Sequence, residues 1–266
     1  NNNMKKKNDK VDITQIGIFS YLERISRSHP YIYFIARNLA FYLNIFEKEF
    51  DGIKNIKFKK KEINLIDVGA SDGIAIKYIN KIKPLKHIYA FEPNEVYYKK
   101  LIKFKNNFKN LRVFNFGLSN KKQKLTVFIP YIRLLGKIYH MITYTFYDLD
   151  ELKHNLKINY IFKKKIEIDR VKINLNTYDN FENCIDLIKV DVNGHELNVI
   201  KGMLRLIAKD KPAIILEELN NITETTNLLS RYGYKCYGYC LKSKKLKKVS
   251  KKSSENLNYY FLQKEH

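Results

Sequence analysis

The stretch LIDVGASDG, residues 65–73, admits two readings. An apolar run meets the acid Asp67, and Gly69 and Gly73 then bracket Ser71. As G-x-S-x-G, it matches the strained elbow that presents a nucleophilic serine. As a glycine-rich turn between a strand and a helix, it lets a nucleotide approach backbone amides. The elbow needs an acid and then a histidine after it. Neither His195, which precedes Glu196 at a helix start, nor His266, the last residue, is placed like a loop histidine delivered by a late strand. The elbow also belongs mid-sheet, whereas this turn follows the first strand of the repeat. A nucleotide turn predicts an acid about 20 residues on, ending the next strand and accepting hydrogen bonds from ribose hydroxyls. Glu92, which ends HIYAFE, stands 23 residues past Gly69. Ser71 is therefore read as a loop residue of a ligand-binding turn. The spacing G-x-x-x-G, with Asp67 just before it, suits the zwitterionic end of S-adenosylmethionine better than a pyrophosphate, and no P-loop is present.

A rhythm extends outward from that turn. INLIDVG reads as a strand and IAIKYINKI as a helix; HIYAFEP reads as a strand and NEVYYKKLIKF as a helix. LRVFNFGLS follows as a third strand, with KLTVFIP as its hairpin partner. Near-continuous apolar strands alternating with helices imply a parallel sheet covered on both faces. Residues 131–165 break the rhythm; they are rich in tyrosine and are expected to form a substrate-pocket insertion. The rhythm resumes with IDLIKVD, a helix from His195 to about Ala208, and PAIILEE. YKCYGYCL and NYYFLQ read as two more strands, and the lysine-rich KSKKLKKVSKKSS between them reads as a solvated hairpin tip. Residues 1–10 read as a disordered basic tail and residues 11–60 as an N-terminal helical extension. YIYFIARNLAFYLNIF, within that extension, leaves a surface-lying role at a membrane open. Residues 61–266 read as the domain that carries the S-adenosylmethionine turn.

The chain has 266 residues, 45% of them apolar, enough to bury a sizeable core. Cys184, Cys236 and Cys240 form no C-x-x-C pair, which fits a reducing compartment. No signal-peptide pattern and no uncharged apolar run of roughly 18 residues is present, so a cytoplasmic location, extending to the inner face of the membrane, is expected. The net charge of +23 suggests an anionic partner such as nucleic acid or a lipid surface. Only eight of the 50 basic residues are arginine, the residue that forks onto phosphates. Compositional bias toward lysine explains the charge better, and no dedicated nucleic-acid partner is expected.

NLIDVGASDG, YAFEPN, NFGLSN, NTYDNF and DLIKVDVNGHELNVIKGM occur in the order of the FkbM-type family of S-adenosylmethionine-dependent methyltransferases, which this sequence resembles over roughly residues 64–219. The resemblance implies a Rossmann-like α/β class I methyltransferase fold: a mostly parallel seven-stranded sheet, its last strand antiparallel, with helices on both faces. It also implies O-methylation, commonly of a sugar hydroxyl on a glycan, glycolipid or natural product. By position, Asp67, Gly69 and Gly73 would line the methionine end of the cofactor, with Ala70 and Ser71 in the same turn. Glu92, followed by Pro93, would take the ribose. Asn115, Phe116 and Gly117 would sit near the adenine edge, and Asp191 beside the methyl group. The sequence departs from the family at Asn193, where an acid is usual, and at Tyr178, where leucine is usual.

Methyl transfer to a weakly nucleophilic hydroxyl is helped by a general base. Strand ends in open α/β sheets are where ligands bind, which favours Asp191 and Glu217. His195 is a third candidate. Glu196 is a fourth, although Asn193 followed three residues later by Glu196 also reads as a capping box. Asp191 and Glu217 could pair on a divalent ion, but nothing else in the sequence demands a metal and none is expected. Two alternatives stand beside this reading: an RNA methyltransferase using the basic surface, and a serine hydrolase with Ser71 as nucleophile.

Overall fold

The computed structural model describes residues 48–134, 136–140, 145–159, 166–217, 222–249 and 258–266. The tail at 1–10 and most of the extension at 11–60 lie outside the described residues; within them, Lys48–Asn55 forms a 3-10 helix rather than an α-helix.

The strands are β1 (Ile63–Val68), β2 (Leu85–Phe91), β3 (Leu111–Phe114), β4 (Gly117–Leu118), β5 (Gln123–Leu134), β6 (Lys137–His140), β7 (Glu167–Asn176), β8 (Leu187–Val190), β9 (Ala213–Glu217), β10 (Lys235–Cys240), β11 (Lys245–Lys248) and β12 (Asn258–Leu262). The helices are α1 (Ile74–Ile82), α2 (Glu95–Phe104), α3 (Leu149–Asn159), α4 (Glu196–Gly202), α5 (Leu204–Asp210) and α6 (Ile222–Ser230). The main sheet runs β11-β10-β12-β9-β8-β1-β2-β3. It is mixed and eight-stranded, correcting the expectation of seven. β12 lies antiparallel between β9 and β10, and β11 adds an antiparallel edge strand. The lysines expected in a solvated tip lie partly in β11; an edge strand tolerates them, because one flank faces water.

Every residue of β1, β8 and β12 is buried, the consequence of cover on both faces. One face carries Ile66, Val68, Ile188, Val190, Ile214, Leu216, Tyr259 and Phe261 against α4, α5 and α6. The other carries Ile63, Leu65, Leu187, Ala213, Ile215 and Tyr260 against the 3-10 helix, α1 and α2.

LRVFNFGLS is not one strand. β3 belongs to the main sheet, and β4 to a second, four-stranded sheet ordered β4-β7-β5-β6. KLTVFIP lies in β5, whose long antiparallel partner is β7, so it is not the hairpin partner of β3. The insertion expected at 131–165 begins inside β5, and α3 within it packs Leu152 against Phe128, Phe146, Ile166 and Ile168. The helix expected from His195 to Ala208 is two helices that break at Met203. A side chain on Gly202 would come within 2.4 Å of the Ser119 carbonyl oxygen, so the loop after β4 is pressed against the end of α4.

Candidate active site

The turn after β1 is tied to the end of β2. Gly69 and Ala70 donate their amides to Phe91 O at 2.9 and 3.1 Å, and the Ser71 amide donates to Glu92 Oε2 at 2.9 Å. Gly69 adopts φ +78°, and a Cβ there would lie 1.9 Å from the Asp191 carbonyl oxygen. This glycine is demanded by the neighbouring strand end, not only by a ligand. Gly73, at φ +81°, begins α1 against Phe104. The Ser71 hydroxyl is buried and meets no hydrogen-bond partner. β1 does sit mid-sheet, contrary to the expectation from sequence, so its position does not disfavour an elbow. The missing imidazole partner does.

Glu92 is 6% exposed and accepts a second amide, from Asn94, at 2.8 Å. Burial raises its pKa to about 7 against the opposing pull of those two amides. Pro93 and Leu175 close around Gly117, where a Cβ would meet the Leu175 side chain at 2.6 Å. The Asn115 side chain donates to the Glu95 carboxylate. Phe116 joins Phe91, Phe114 and Tyr178 in an aromatic cluster at the ends of β2 and β3.

Strand register assembles the acids. Asp67 pairs with Lys189, and Lys189 with Ile215. One residue past Val190, which pairs with Leu216, Asp191 reaches the level of Glu217. The Asp191 amide donates to Val68 O at 3.0 Å. Asp67, Lys189, Asp191 and Glu217 thus share one face, because side chains alternate along a strand. Lys189 Nζ stands 3.3 Å from Asp67 Oδ1, 3.4 Å from Asp191 Oδ2 and 3.3 Å from Gly69 O. Burial opposes its charge, but Asp67, Asp191 and Glu217 together raise its pKa above the ordinary lysine value, so it is a cation. Asp67 is fully buried; burial raises its pKa and Lys189 opposes the rise. Neither of its oxygens has a well-directed hydrogen bond.

The expected capping box does not form, because the helix starts at Glu196 with His195, not Asn193, at its cap. Glu196 Oε1 accepts the amides of Gly194 at 2.9 Å and Val192 at 3.4 Å, while Asn193 adopts φ +51° ahead of the helix and His195 occupies the N-cap. The acid therefore shapes the loop that carries Asp191. His195 Nε2 lies 3.0 Å from Ser119 Oγ, and its Nδ1 lies 3.3 Å from Asn198 Nδ2. Ser119 Oγ donates to Asn120 Oδ1 and accepts from Gln123, so the consistent tautomer carries the proton on Nε2 and receives the Asn198 amide on Nδ1. Burial lowers the His195 pKa. Tyr147, from the 131–165 insertion, lies with its ring centroid 5.6 Å from that of His195.

The structure brings Asp67, Gly69, Ser71, Glu92 and Asp191 to one end of the sheet, with Glu217 beside Asp191. Sequence reasoning missed Lys189, Ser119, Asn198 and Tyr147. A lysine inside the apolar run LIKV was the available signal, since lysine is almost never fully buried unless paired. Among the described residues, no group of three or more His, Cys, Asp or Glu could hold a metal ion, and no helix is long and apolar enough to cross a membrane.

Numbered by core strands in chain order, the main sheet reads 3-2-1-4-5-7-6 with β11 appended, and its glycine turn and carboxylates cluster at the strand ends. This is the α/β architecture of class I methyltransferases. The model of the methyltransferase FkbM domain matches residues 67–236, and the chain belongs to that family, whose methyl donor is S-adenosylmethionine. Among solved structures it is similar to the methyltransferase FkbM from Methylobacillus flagellatus KT, at 14% identity and a TM-score of 0.49, over 91% of this chain and 57% of that one. It is also similar to a SAM-dependent O-methyltransferase from Thermotoga maritima, at 12% identity and a TM-score of 0.41, over 81% and 64% of the two chains. A third is TrmK from M. capricolum in complex with its cofactor product S-adenosyl-homocysteine, at 9% identity and a TM-score of 0.39, over 81% and 66%. The chain thus spans little more than half the length of the first of these. No curated protein matches it.

Proposed function

We propose that the chain transfers a methyl group from S-adenosylmethionine to a hydroxyl of a sugar in a glycan, glycolipid or natural product. The observation that carries this reading is the pair Asp191 and Glu217, at the ends of adjacent parallel strands beside the Gly69 turn. Two groups fit the donor: the Asp67 carboxylate, ion-paired with Lys189 but without a well-directed hydrogen bond, and the Ser71 hydroxyl, which has no hydrogen-bond partner. The ammonium and carboxylate of a methionine end would complete them. Glu92 keeps lone pairs for ribose hydroxyls while clamping the turn.

When bound, S-adenosylmethionine supplies an electrophilic methyl carbon on a sulfonium, so the leaving group is already activated. The chain's part is mostly alignment. Asp191 would accept the hydrogen bond of the acceptor hydroxyl and take its proton as that oxygen gains the methyl group and the methyl–sulfur bond breaks. Lys189 holds Asp191 and Asp67 in place and balances their charge. His195, held at both ring nitrogens by Ser119 and Asn198, sets the wall of the site with Tyr147, and the insertion that carries Tyr147 shapes the acceptor pocket.

The test is transfer from S-adenosylmethionine carrying a ¹³C-methyl group, with oligosaccharides, glycolipid extract and RNA offered in parallel. Label in O-methyl groups of a sugar is the expected result. Label in RNA alone would instead make the basic surface functional and overturn the carbohydrate assignment.

A further inference from the structure

The acid row does not end at Glu217. β12 runs antiparallel beside β9, and the register pairs Glu217 with Asn258. Asn258 precedes Tyr260 and Leu262 by two and four residues, and both of these pack on the sheet face that carries Leu65, Leu187 and Ile215. By alternation Asn258 shares that face with Asp67, Lys189, Asp191 and Glu217. It sits at the end of the sheet where the parallel strands finish.

Asn258 is 0% exposed, and neither its Nδ2 nor its Oδ1 has a hydrogen-bond partner. A buried amide left unmet on both sides is costly, and an apolar residue of the same size would fill the place more stably. Buried polar groups that persist unmet call for an explanation. Here the neighbourhood supplies one. Asp191 and Glu217 are only partly buried, so the row is open to solvent at the carboxylates and sealed at the amide.

We infer that Asn258 is an acceptor-binding residue: its side-chain amide, paired in register with Glu217, recognises a second hydroxyl on the molecule whose first hydroxyl meets Asp191. A carboxamide donates and accepts at once, which matches a hydroxyl. Neighbouring strands lie about 4.8 Å apart, so two strand steps from Asp191 to Asn258 span on the order of 10 Å, wide enough for one sugar ring between them. The ligand class is a polyol with at least two free hydroxyls on one ring. This inference rests on the methyl-transfer reading above.

The experiment compares wild type with Asn258→Leu, using methyl glycosides of hexoses as probes. Binding to the complex with S-adenosyl-homocysteine is followed by saturation-transfer NMR, thermal unfolding is followed separately, and turnover is measured with any glycoside that accepts label. Expected for Asn258→Leu is a melting temperature no lower than that of wild type, unchanged affinity for S-adenosyl-homocysteine, and glycoside binding weaker by about tenfold, the worth of a desolvated hydrogen bond. In turnover the loss should fall on the acceptor KM more than on kcat. Wild-type glycoside affinity in the variant overturns the assignment, as does a clear fall in melting temperature with affinity intact, which would mean that the amide is satisfied inside the fold. A wild-type protein that binds S-adenosyl-homocysteine but no glycoside refutes the carbohydrate reading itself, and the Asn258 assignment falls with it.

Discussion

Glu92 Oε2 accepts the Ser71 amide at 2.9 Å, and this bond fastens the turn that ends β1 to the acid that ends β2. The same carboxylate is buried, with a pKa raised to about 7. Between the ordinary value of 4.5 and that value, the folded protein holds a proton that the unfolded chain has lost. Ionising Glu92 therefore weakens the fold as pH rises through this window. Ribose hydroxyls donate to the anion and favour it. Binding of S-adenosyl-homocysteine should accordingly release a proton near pH 7, and affinity should rise as pH increases from 6 to 8. Calorimetry in phosphate and in Tris, whose ionisation enthalpies differ, measures the proton directly. Glu92→Gln should weaken binding by about 10- to 100-fold and abolish the proton release; equal heats in the two buffers for wild type would contradict the ribose role.

Lys189 is the one cation found between Asp67 and Asp191 among the described residues. Lys189→Met leaves Asp67, fully buried, without its counter-charge. Breaking a buried pair from one side costs about 3–5 kcal/mol, a loss to be read in urea unfolding. The double variant Asp67→Asn with Lys189→Met removes both charges and should recover more than half of that loss. A single variant as stable as wild type would show that the pair contributes nothing.

The sequence makes β1, β2, β8 and β9 legible because a parallel strand covered on both faces is apolar over most of its length. The glycine turn and Glu92 were legible for a related reason: each sits at the end of such a run. Lys189 was hidden because what permits it, Asp67, lies 122 residues earlier and one strand away. β11 was hidden because an edge strand with lysines has the composition of a loop. The break of α4 from α5 at Met203 has no local signal of sufficient strength; the loop at Ser119 presses on Gly202 from far away in sequence. Asn258 carries no pattern at all, and only pairing with Glu217 gives it a place.

Two glycines with nearly the same backbone separate strain from space. Gly69 has φ +78° and Gly136 has φ +75°, but a Cβ at Gly69 would strike Asp191 O, and one at Gly136 would meet nothing within 4 Å. Gly136→Ala should cost only the left-handed backbone term, about 1–2 kcal/mol. Gly69→Ala adds displacement of the β8 end and should cost at least about 3 kcal/mol and abolish cofactor binding. Denaturant midpoints of the two variants decide it, and equal losses would mean that the β8 end yields freely to the added methyl.

Asp191 and His195 make opposite predictions, although both stand at the end of β8. Asp191 is partly exposed and has Lys189 behind it, leaving lone pairs for an acceptor. His195 has both ring nitrogens engaged, Nε2 with Ser119 and Nδ1 with Asn198. If Asp191 takes the proton, Asp191→Asn should lower kcat by about 10²- to 10⁴-fold, the range for a positioned base, and leave affinity for S-adenosyl-homocysteine within about threefold. His195→Gln keeps a donor toward Ser119 and should lose about tenfold or less, while His195→Ala should lose more, because the Ser119 loop and Tyr147 lose their support. Burial lowers the His195 pKa below its ordinary 6.5, so the imidazole is neutral at pH 7 and gains its proton only in more acidic solution. Protonation places a second N–H against the Asn198 amide and breaks the network. With S-adenosylmethionine saturating, the wild-type rate should therefore hold as pH falls through 6.5 and decline below it, and His195→Gln should lose that decline while keeping about a tenth or more of the wild-type rate at pH 7. If His195→Gln instead abolishes turnover while Asp191→Asn keeps it, the imidazole is the base and the network seen in the free protein must open when the acceptor binds.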